Sequence, residues 1–215
     1  PGTPLDETAM AALVAEHAGA RLHAMAQDPA DIPRTLLRDL WLLEEQHLTL
    51  PSPFMRVYES VRAHGVKVTL DGHGADEALA GYGFDLLTAL HDASPLGWAG
   101  VAGTYRAGLP DHPQFPKPST GALIWRHLKD RAAGRPERIH SGPDQDHPAW
   151  RTMGALNRAL YHSFHHGILP TLLRNYDRYS MAAGVEVRMP FLDHRLVAYC
   201  FSLPWQAKVR GGYSK

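Results

Sequence analysis

The run Val-Lys-Val-Thr-Leu at residues 66–70 constrains the fold of this chain more than any other feature. It is short, rich in β-branched residues and bounded by Gly65 and Gly72, so it predicts a buried strand. An alternating stretch at residues 21–25 predicts a second short strand. Helical periodicity surrounds both, at residues 5–18, 32–45 and 54–64. This order of helices and strands predicts an α/β fold with a parallel sheet and right-handed crossovers.

Beyond Tyr82 the strand patterns end and helical patterns take over. They cover residues 83–92, 96–107, 120–132, 149–166, 168–182 and 193–203. We therefore expect residues 1–82 to form the α/β portion and residues 83–215 a mainly helical layer. The stretches 110–118 and 134–148 are rich in Pro, Gly and charged residues, which favours surface connections.

Charge and composition weigh against several classes of partner. The chain has 22 Lys plus Arg and 22 Asp plus Glu, so nothing favours binding to nucleic acid or to an anionic membrane. No apolar run approaches the ~20 residues that cross a bilayer. Cys200 is the single cysteine, which rules out a disulfide within the chain and is typical of a reducing cytoplasm. The 14 His are scattered rather than spaced as metal ligands. The chain opens at Pro1 without an initiating Met, and we expect it to be part of a longer protein.

The loop that leaves the strand, Asp-Gly-His-Gly-Ala-Asp-Glu at residues 71–77, is the most informative local motif. Ligands of parallel sheets gather at the carboxyl ends of strands, where this loop begins. Gly72 and Gly74 permit positive φ and close approach of the backbone to a ligand. Backbone N–H groups and a helix that starts near Asp76 can hold phosphate oxygens, and the Asp76 carboxylate suits Mg²⁺. The alternative is a tight turn in which Asp76 or Glu77 caps the helix. The loop matches neither the Walker A nor the Rossmann pattern.

A second group of charged residues lies among apolar neighbours within residues 176–193. Its members are Asp177, Arg178, Glu186 and Arg188. Glu186 and Arg188 alternate around one residue, as in an extended segment, so they share a face. They form either an ion pair between a helix and a loop, or a site in which guanidinium groups bind carboxylate or phosphate. Asp193 is expected to cap the helix that follows.

The closing segment, residues 208–215, places three cations around two glycines. It is either a flap that neutralises phosphate or a solvated tail. Its last residue is Lys215.

Together, three segments resemble the synthetase domain of glutamine-dependent asparagine synthetases. They are VKVTLDGHGADEALAGY at 66–82, LLRNYDRYSMAAGVEVRMPFLDHRLVAYCFSLP at 172–204, and the Lys-xx-Gly-xxx-Lys spacing at 208–215. The likeness extends from Pro1 and covers nearly the whole chain. It implies an adenine-nucleotide α-hydrolase-like fold of the ATP-pyrophosphatase (HUP) type, with ATP and Mg²⁺ as cofactors. It also implies that the aspartate side chain attacks the α-phosphorus of ATP to give a β-aspartyl-adenylate, from which ammonia derived from glutamine displaces AMP.

The resemblance also implies roles for nine residues. Those expected to contact ATP are Asp71, Gly72 and Gly74. The expected Mg²⁺ ligand is Asp76. Those expected in catalysis are His73, at a position linked to forming the intermediate and handling ammonia; Lys215, which stabilises the adenylation transition state; and the active-site wall of Arg178, Glu186 and Arg188.

The chain departs from the family pattern at several points. It has no Ser-Gly-Gly-x-Asp-Ser loop, which grips pyrophosphate in the family, and no amino-terminal glutaminase domain. His73 stands where the family has Glu or Gln; a neutral imidazole can act as a base near pH 7 but lacks a constant negative charge. Glu44-Glu45-Gln46 matches the family's Asp-Glu-Pro only loosely. We therefore expect the isolated chain to be inactive, and ATP-dependent amide formation is better supported than aspartate as the substrate.

Two further hypotheses remain open. One is a related cyclase, such as a β-lactam synthetase or a lasso-peptide macrocyclase, that adenylates a carboxylate and closes an internal amide. The other is a non-catalytic, truncated paralogue that binds a partner through its helical layer. The partners expected under the first reading are aspartate or a related carboxylate and a glutaminase domain, in a cytoplasmic protein that is compatible with a homodimer.

Overall fold

The computed structural model describes residues 6, 8–44, 51–109, 116–134, 148–210 and 213–214 of the 215-residue chain. Its helices are α1 (Thr8–His17), α2 (Ile32–Leu43), α3 (Ser52–Ala63), α4 (Ala75–Leu79), α5 (Gly83–Leu86), α6 (Ala89–Asp92), α7 (Trp98–Gly108), α8 (Thr120–Ala132), α9 (Pro148–Thr152), α10 (Ala155–His165), α11 (Ile168–Ala182), α12 (His194–Ser202) and α13 (Trp205–Lys208). Its strands are β1 (Val68–Leu70), β2 (Glu186–Arg188), β3 (Val209–Arg210) and β4 (Tyr213–Ser214). Short 3₁₀ turns lie at Pro29–Asp31 and Pro190–Leu192.

The described residues divide into two compact units. Unit 1 comprises residues 1–71 and 173–188, and unit 2 comprises residues 72–172 and 189–215. The expected division into residues 1–82 and 83–215 stays a prediction. Among the described residues, no helix has the length and apolar character needed to cross a membrane.

The predicted parallel sheet is present in unit 1. Strand β1 pairs in parallel with β2, and Thr69 lies opposite Val187. Val187 packs on the unit 1 core, so this face of the sheet is covered. The opposite face carries Val68, 41% exposed, and Leu70, 74% exposed. The prediction of a buried strand was therefore wrong, because the two described strands have core residues against one face only.

The core of unit 1 is rich in aromatic side chains. Its buried members are Leu43, Met55, Tyr58, Tyr179 and Val185. Phe54 of α3 stacks on Tyr179 of α11, with ring centroids 5.6 Å apart. These contacts fix α3 and the carboxyl-terminal part of α11 beside the sheet.

The fully buried core of unit 2 is aliphatic and is built around α10, and the partly buried aromatic side chains of Trp98, Tyr105, Phe201 and Trp205 pack against it. Its buried members are Ala80, Leu86, Ala89, Leu90, Val101, Leu156, Leu160 and Val209. Helix α10 begins where Asp92 of α6 accepts hydrogen bonds from the backbone N–H groups of Ala155 and Leu156, at 2.7 and 2.9 Å. This distant cap explains why the helix predicted at 149–166 is split into α9 and α10, since the carboxylate satisfies N–H groups that start a new helix.

Most helical predictions are confirmed. Of the strand predictions, the strand at 66–70 is present as β1, whereas the strand at 21–25 and the end of the strands at Tyr82 were wrong. The alternating stretch at 21–25 forms no strand, since no described segment pairs with it. The pattern predicted no strand beyond Tyr82 other than an extended segment at 186–188. The structure has β2 there, and also an antiparallel hairpin of β3 and β4. The surface connections predicted at 110–118 and 134–148 lie largely outside the described residues.

Candidate active site

Within unit 1, strand pairing places Asp71, the first residue of the glycine loop, next to Arg188 of β2. Leu70 is the register partner of Arg188, and the Asp71 N–H donates to the Arg188 carbonyl oxygen at 2.8 Å. Asp71 is thus held at the carboxyl end of β1 by the main chain of β2. This is the edge of the sheet where the sequence placed a ligand.

The Asp71 side chain is also held. The Tyr58 hydroxyl of α3 donates to Asp71 Oδ2 at 2.8 Å. Burial, followed by this hydrogen bond, raises the pKa of Tyr58 well above its ordinary value, so the phenol stays a donor. Sequence reasoning missed Tyr58, because it lies 13 residues upstream of Asp71 and no local pattern links the two. A hydroxyl to carboxylate bond of this kind fixes the direction of the remaining carboxylate oxygen.

Glu186 and Arg188 share a face of β2, as predicted. Arg188 Nε donates to Glu186 Oε1 at 2.8 Å, and both side chains are more than half exposed. The ion pair therefore lies within one strand and does not join a helix to a loop, which corrects that part of the prediction. Exposed pairs contribute about 0–1 kcal/mol to stability. The guanidinium remains accessible to solvent and could bind an anion.

Arg178 lies on α11 with its guanidinium at the end of α2. It donates a hydrogen bond to the carbonyl oxygen of Leu43, the last residue of α2. A cation at this point satisfies a terminal carbonyl and opposes the negative end of the helix dipole. The contact gives Arg178 a structural task in unit 1, and its catalytic role stays a prediction.

In unit 2, Gly74 is required by conformation and by space. Its φ is +94°, and a Cβ built on it would lie 2.4 Å from Leu192 Cδ2. Gly72 differs, because it is not among the described glycines with positive φ, and a Cβ there would meet nothing within 4 Å. Only Gly74 fits the expectation of a left-handed glycine, whereas the backbone of Gly72 has open space beside it.

Helix α4 starts at the predicted place but without the predicted side-chain cap. Gly74 is its N-cap residue, with no side-chain hydrogen bond, and Asp76 and Glu77 lie in the first turn. The alternative in which either carboxylate caps the helix was therefore wrong. Because α4 has only five residues, the positive end of its dipole is weak.

The Asp76 side chain is half-buried and occupies the space that a Cβ on Gly81 would fill. Within the described ranges, no three His, Cys, Asp or Glu residues converge on one point as a ready metal cage. Mg²⁺ is commonly held by one or two carboxylates and by substrate phosphates while it keeps several waters. One hard oxygen donor at Asp76 fits that mode of binding.

The two remaining candidate residues are His73 and Lys215. His73 is half-buried in the loop between β1 and α4. Lys215 lies outside the described residues. Asp71 belongs to unit 1 and Asp76 to unit 2.

A comparison with known protein families gives a match over nearly the whole chain. Residues 2–215 match the sequence profile of the family described as asparagine synthase. The chain belongs to the asparagine synthase family. The resemblance found from the sequence motifs is thereby confirmed at the level of the family.

Two curated relatives show different degrees of similarity. An asparagine synthetase (glutamine-hydrolysing) 3 of Bacillus subtilis is 47% identical over 47 residues, which are 22% of this chain and 8% of that protein. The amidase chyE of Penicillium rubens is 26% identical over 248 residues, covering 95% of this chain and 36% of that protein. This member of the asparagine synthase family thus spans well under half the length of both relatives.

Proposed function

We propose that the chain carries the adenylating part of an ATP-dependent amide synthetase that forms asparagine from aspartate. Membership of the asparagine synthase family supports amide synthesis, and both relatives' names refer to amide chemistry. The observation that carries the proposal is the hydrogen bond from Asp71 N–H to the Arg188 carbonyl oxygen. It holds Asp71, the first residue of the glycine loop, beside Arg188 at the carboxyl end of the parallel strands.

The reaction has two steps. A carboxylate oxygen of aspartate forms a bond to the α-phosphorus of ATP, the bond between that phosphorus and the bridging oxygen to the β-phosphate breaks, and pyrophosphate leaves. Ammonia nitrogen then attacks the acyl carbon, the C–O bond breaks and AMP leaves with that oxygen. Both steps require compensation of phosphate charge and exclusion of water from the activated acyl group.

Roles for the chain's residues follow from that chemistry. Asp71, Gly72 and Gly74 contact ATP, with open space at Gly72 for close approach of a phosphate. Arg188 and Lys215 oppose the charge of the phosphate oxygens. The His73 imidazole takes up the proton that the attacking nitrogen loses, which a neutral imidazole does near pH 7.

Asp76 would hold Mg²⁺ through a carboxylate oxygen. When bound, the ion supplies positive charge beside the phosphate oxygens. We place the chain in the ATP-pyrophosphatase class of α/β folds, with a glutaminase domain as the source of ammonia.

The proposal is tested with pyrophosphate release by the complete protein that contains this chain, given Mg-ATP, aspartate and glutamine. Asp76→Asn and Lys215→Ala are each expected to abolish release. The control is Lys129→Ala on α8, an exposed lysine that lies over the Trp125 ring and is expected to leave release unchanged. Release retained in both site variants would remove those residues from the site.

A cyclase that closes an internal amide is the second candidate, and His73 is the observation that favours it. The family position taken by His73 is linked to the nitrogen nucleophile, so a change there points to a different nucleophile. If the complete protein releases pyrophosphate without ammonia or glutamine when given a carboxylate that carries its own amine, the cyclase is correct. If no carboxylate elicits release, the chain is a non-catalytic paralogue.

A further inference from the structure

Gly81 lies directly beneath the Asp76 carboxylate in unit 2. A Cβ built on Gly81 would lie 2.1 Å from Asp76 Oδ1, 2.4 Å from its Cγ and 2.7 Å from its Cβ. Distances this short cannot coexist with a side chain, so any residue other than glycine must push the carboxylate away.

Backbone conformation does not explain a glycine at this position. Gly81 is absent from the described glycines with positive φ, and the left-handed step of the turn is taken by Ala80, at φ +63°. The Gly81 N–H then donates to the Asp76 carbonyl oxygen at 2.9 Å and closes the turn after α4. What residue 81 supplies is therefore space for the Asp76 side chain.

A neighbouring hydrogen bond holds the same turn from the other side. The Tyr82 hydroxyl donates to Glu77 Oε1 at 2.9 Å, and Glu77 is only 2% exposed. Glu77 follows Asp76 in the chain and Tyr82 follows Gly81. The two ends of the turn are thus joined by a main-chain hydrogen bond and by a partly buried hydrogen bond between side chains.

We propose that Gly81 is a positioning residue that sets the direction of the Asp76 carboxylate toward a divalent cation, with the Tyr82–Glu77 hydrogen bond holding the turn in place. This inference rests on the proposed function, in which Asp76 is the Mg²⁺ ligand. Residues that orient a metal ligand typically change metal affinity by about 10–100-fold when they are replaced.

The test uses Mn²⁺ as a probe for Mg²⁺ in the complete protein, with a non-hydrolysable ATP analogue present. Free Mn²⁺ is counted by electron paramagnetic resonance, so the readout does not depend on turnover. Gly81→Ala is expected to weaken Mn²⁺ binding by about tenfold or more. The matched control is Gly103→Ala in α7, where a Cβ would meet nothing within 4 Å and binding should not change.

A second pair of variants keeps the test decisive if Gly81→Ala fails to fold. Tyr82→Phe removes the hydrogen bond and is expected to weaken Mn²⁺ binding by about tenfold, whereas Glu77→Gln keeps an acceptor oxygen and should bind more nearly like the original protein. Wild-type Mn²⁺ affinity in folded Gly81→Ala would overturn the inference. So would equal affinities of Tyr82→Phe and the original protein when Gly81→Ala is unfolded.

Failure of the proposed function gives a different result. In that case Asp76→Asn binds Mn²⁺ and the nucleotide analogue as the original protein does, or the original protein binds neither. If Asp76→Asn loses Mn²⁺ and folded Gly81→Ala does not, the metal site stands and only the positioning role of Gly81 is wrong.

Discussion

The two units hold their candidate residues in different ways. In unit 1, Asp71 and Arg188 are fixed by a main-chain hydrogen bond between paired strands. In unit 2, the Asp76 carboxylate is positioned by packing against Gly81 and by the neighbouring Tyr82–Glu77 hydrogen bond. A main-chain hydrogen bond involves no side-chain atoms, whereas packing depends on side-chain identity. Side-chain substitutions should therefore alter the site more readily in unit 2.

The two units also differ in the composition of their cores. Unit 1 has stacked aromatic rings in its core and, on α2, a fully buried Asp39 whose carboxylate pairs with Arg38 and Arg56 at 2.8 and 3.0 Å. The fully buried core of unit 2 around α10 is aliphatic, and unit 2 also buries the acidic side chains of Glu77 and Asp85.

The largest effect on stability is expected for Leu160→Ala in the unit 2 core. Leu160 is fully buried on α10, and its truncation should lower the free energy of unfolding by about 2–5 kcal/mol through lost burial and the cavity that remains. Urea denaturation followed by circular dichroism measures it. Leu37→Ala is the control, since Leu37 is 80% exposed and should change stability little. A loss below about 1 kcal/mol for Leu160→Ala would contradict the aliphatic core described for unit 2.

A smaller loss of stability is expected when the hydrogen bond between Tyr58 and Asp71, at the end of β1, is removed. Tyr58→Phe deletes the hydroxyl that donates to Asp71 Oδ2 and should cost about 1.5–3 kcal/mol, because the acceptor is a carboxylate. A double-mutant cycle with Asp71→Ala isolates the pair and should give a coupling energy of about 1 kcal/mol or more. Additive losses would mean that the two side chains do not interact in solution.

Asp85→Asn, unlike the two preceding substitutions, is expected to raise the free energy of unfolding. Burial raises the pKa of Asp85, the hydrogen bond from Ser163 lowers it and the charge of Glu77 raises it, so that the pKa lies at about 6. A carboxyl with a raised pKa in the folded state loses stability as pH rises from about 4 to about 6, since the native state binds more protons there. The neutral amide should gain about 1–2 kcal/mol at pH 7 and nearly nothing at pH 4. Thermal unfolding at both pH values measures the difference, and an equal effect at the two would contradict it.

The smallest effect on stability is expected for Arg188→Gln in unit 1. Its ion pair with Glu186 is exposed and its main-chain bond to Asp71 is retained, so the free energy of unfolding should change by less than about 0.5 kcal/mol. Under the proposed function, affinity for ATP should nevertheless fall, as calorimetry on the complete protein would show. A large loss of stability with unchanged ATP affinity would reverse the role given to Arg188.

The sequence predicted those features that depend on neighbouring residues. The parallel sheet, the shared face of Glu186 and Arg188, and the cap that Asp193 forms with the Arg195 N–H at 2.9 Å are confirmed. Each follows from strand alternation or from capping chemistry within a few residues. The family, too, was recognisable, because the motif residues are contiguous.

Features that depend on residues distant in the chain were not predictable. The Tyr58 contact to Asp71 and the Leu192 side chain against Gly74 join separate elements. Gly81 beneath Asp76 depends on how the turn after α4 closes. The exposure of Leu70 was also missed, because a run of apolar residues indicates a strand but does not tell whether core residues cover both of its faces.

The most direct test of the proposed chemistry follows oxygen from the carboxylate. Aspartate labelled with ¹⁸O in its side-chain carboxylate is incubated with the complete protein, Mg-ATP and glutamine, and the products are analysed by mass spectrometry and ³¹P NMR. Attack on the α-phosphorus predicts that one labelled oxygen appears in AMP, with unlabelled pyrophosphate. Label in inorganic phosphate with formation of ADP, or AMP that contains no label, would contradict the account.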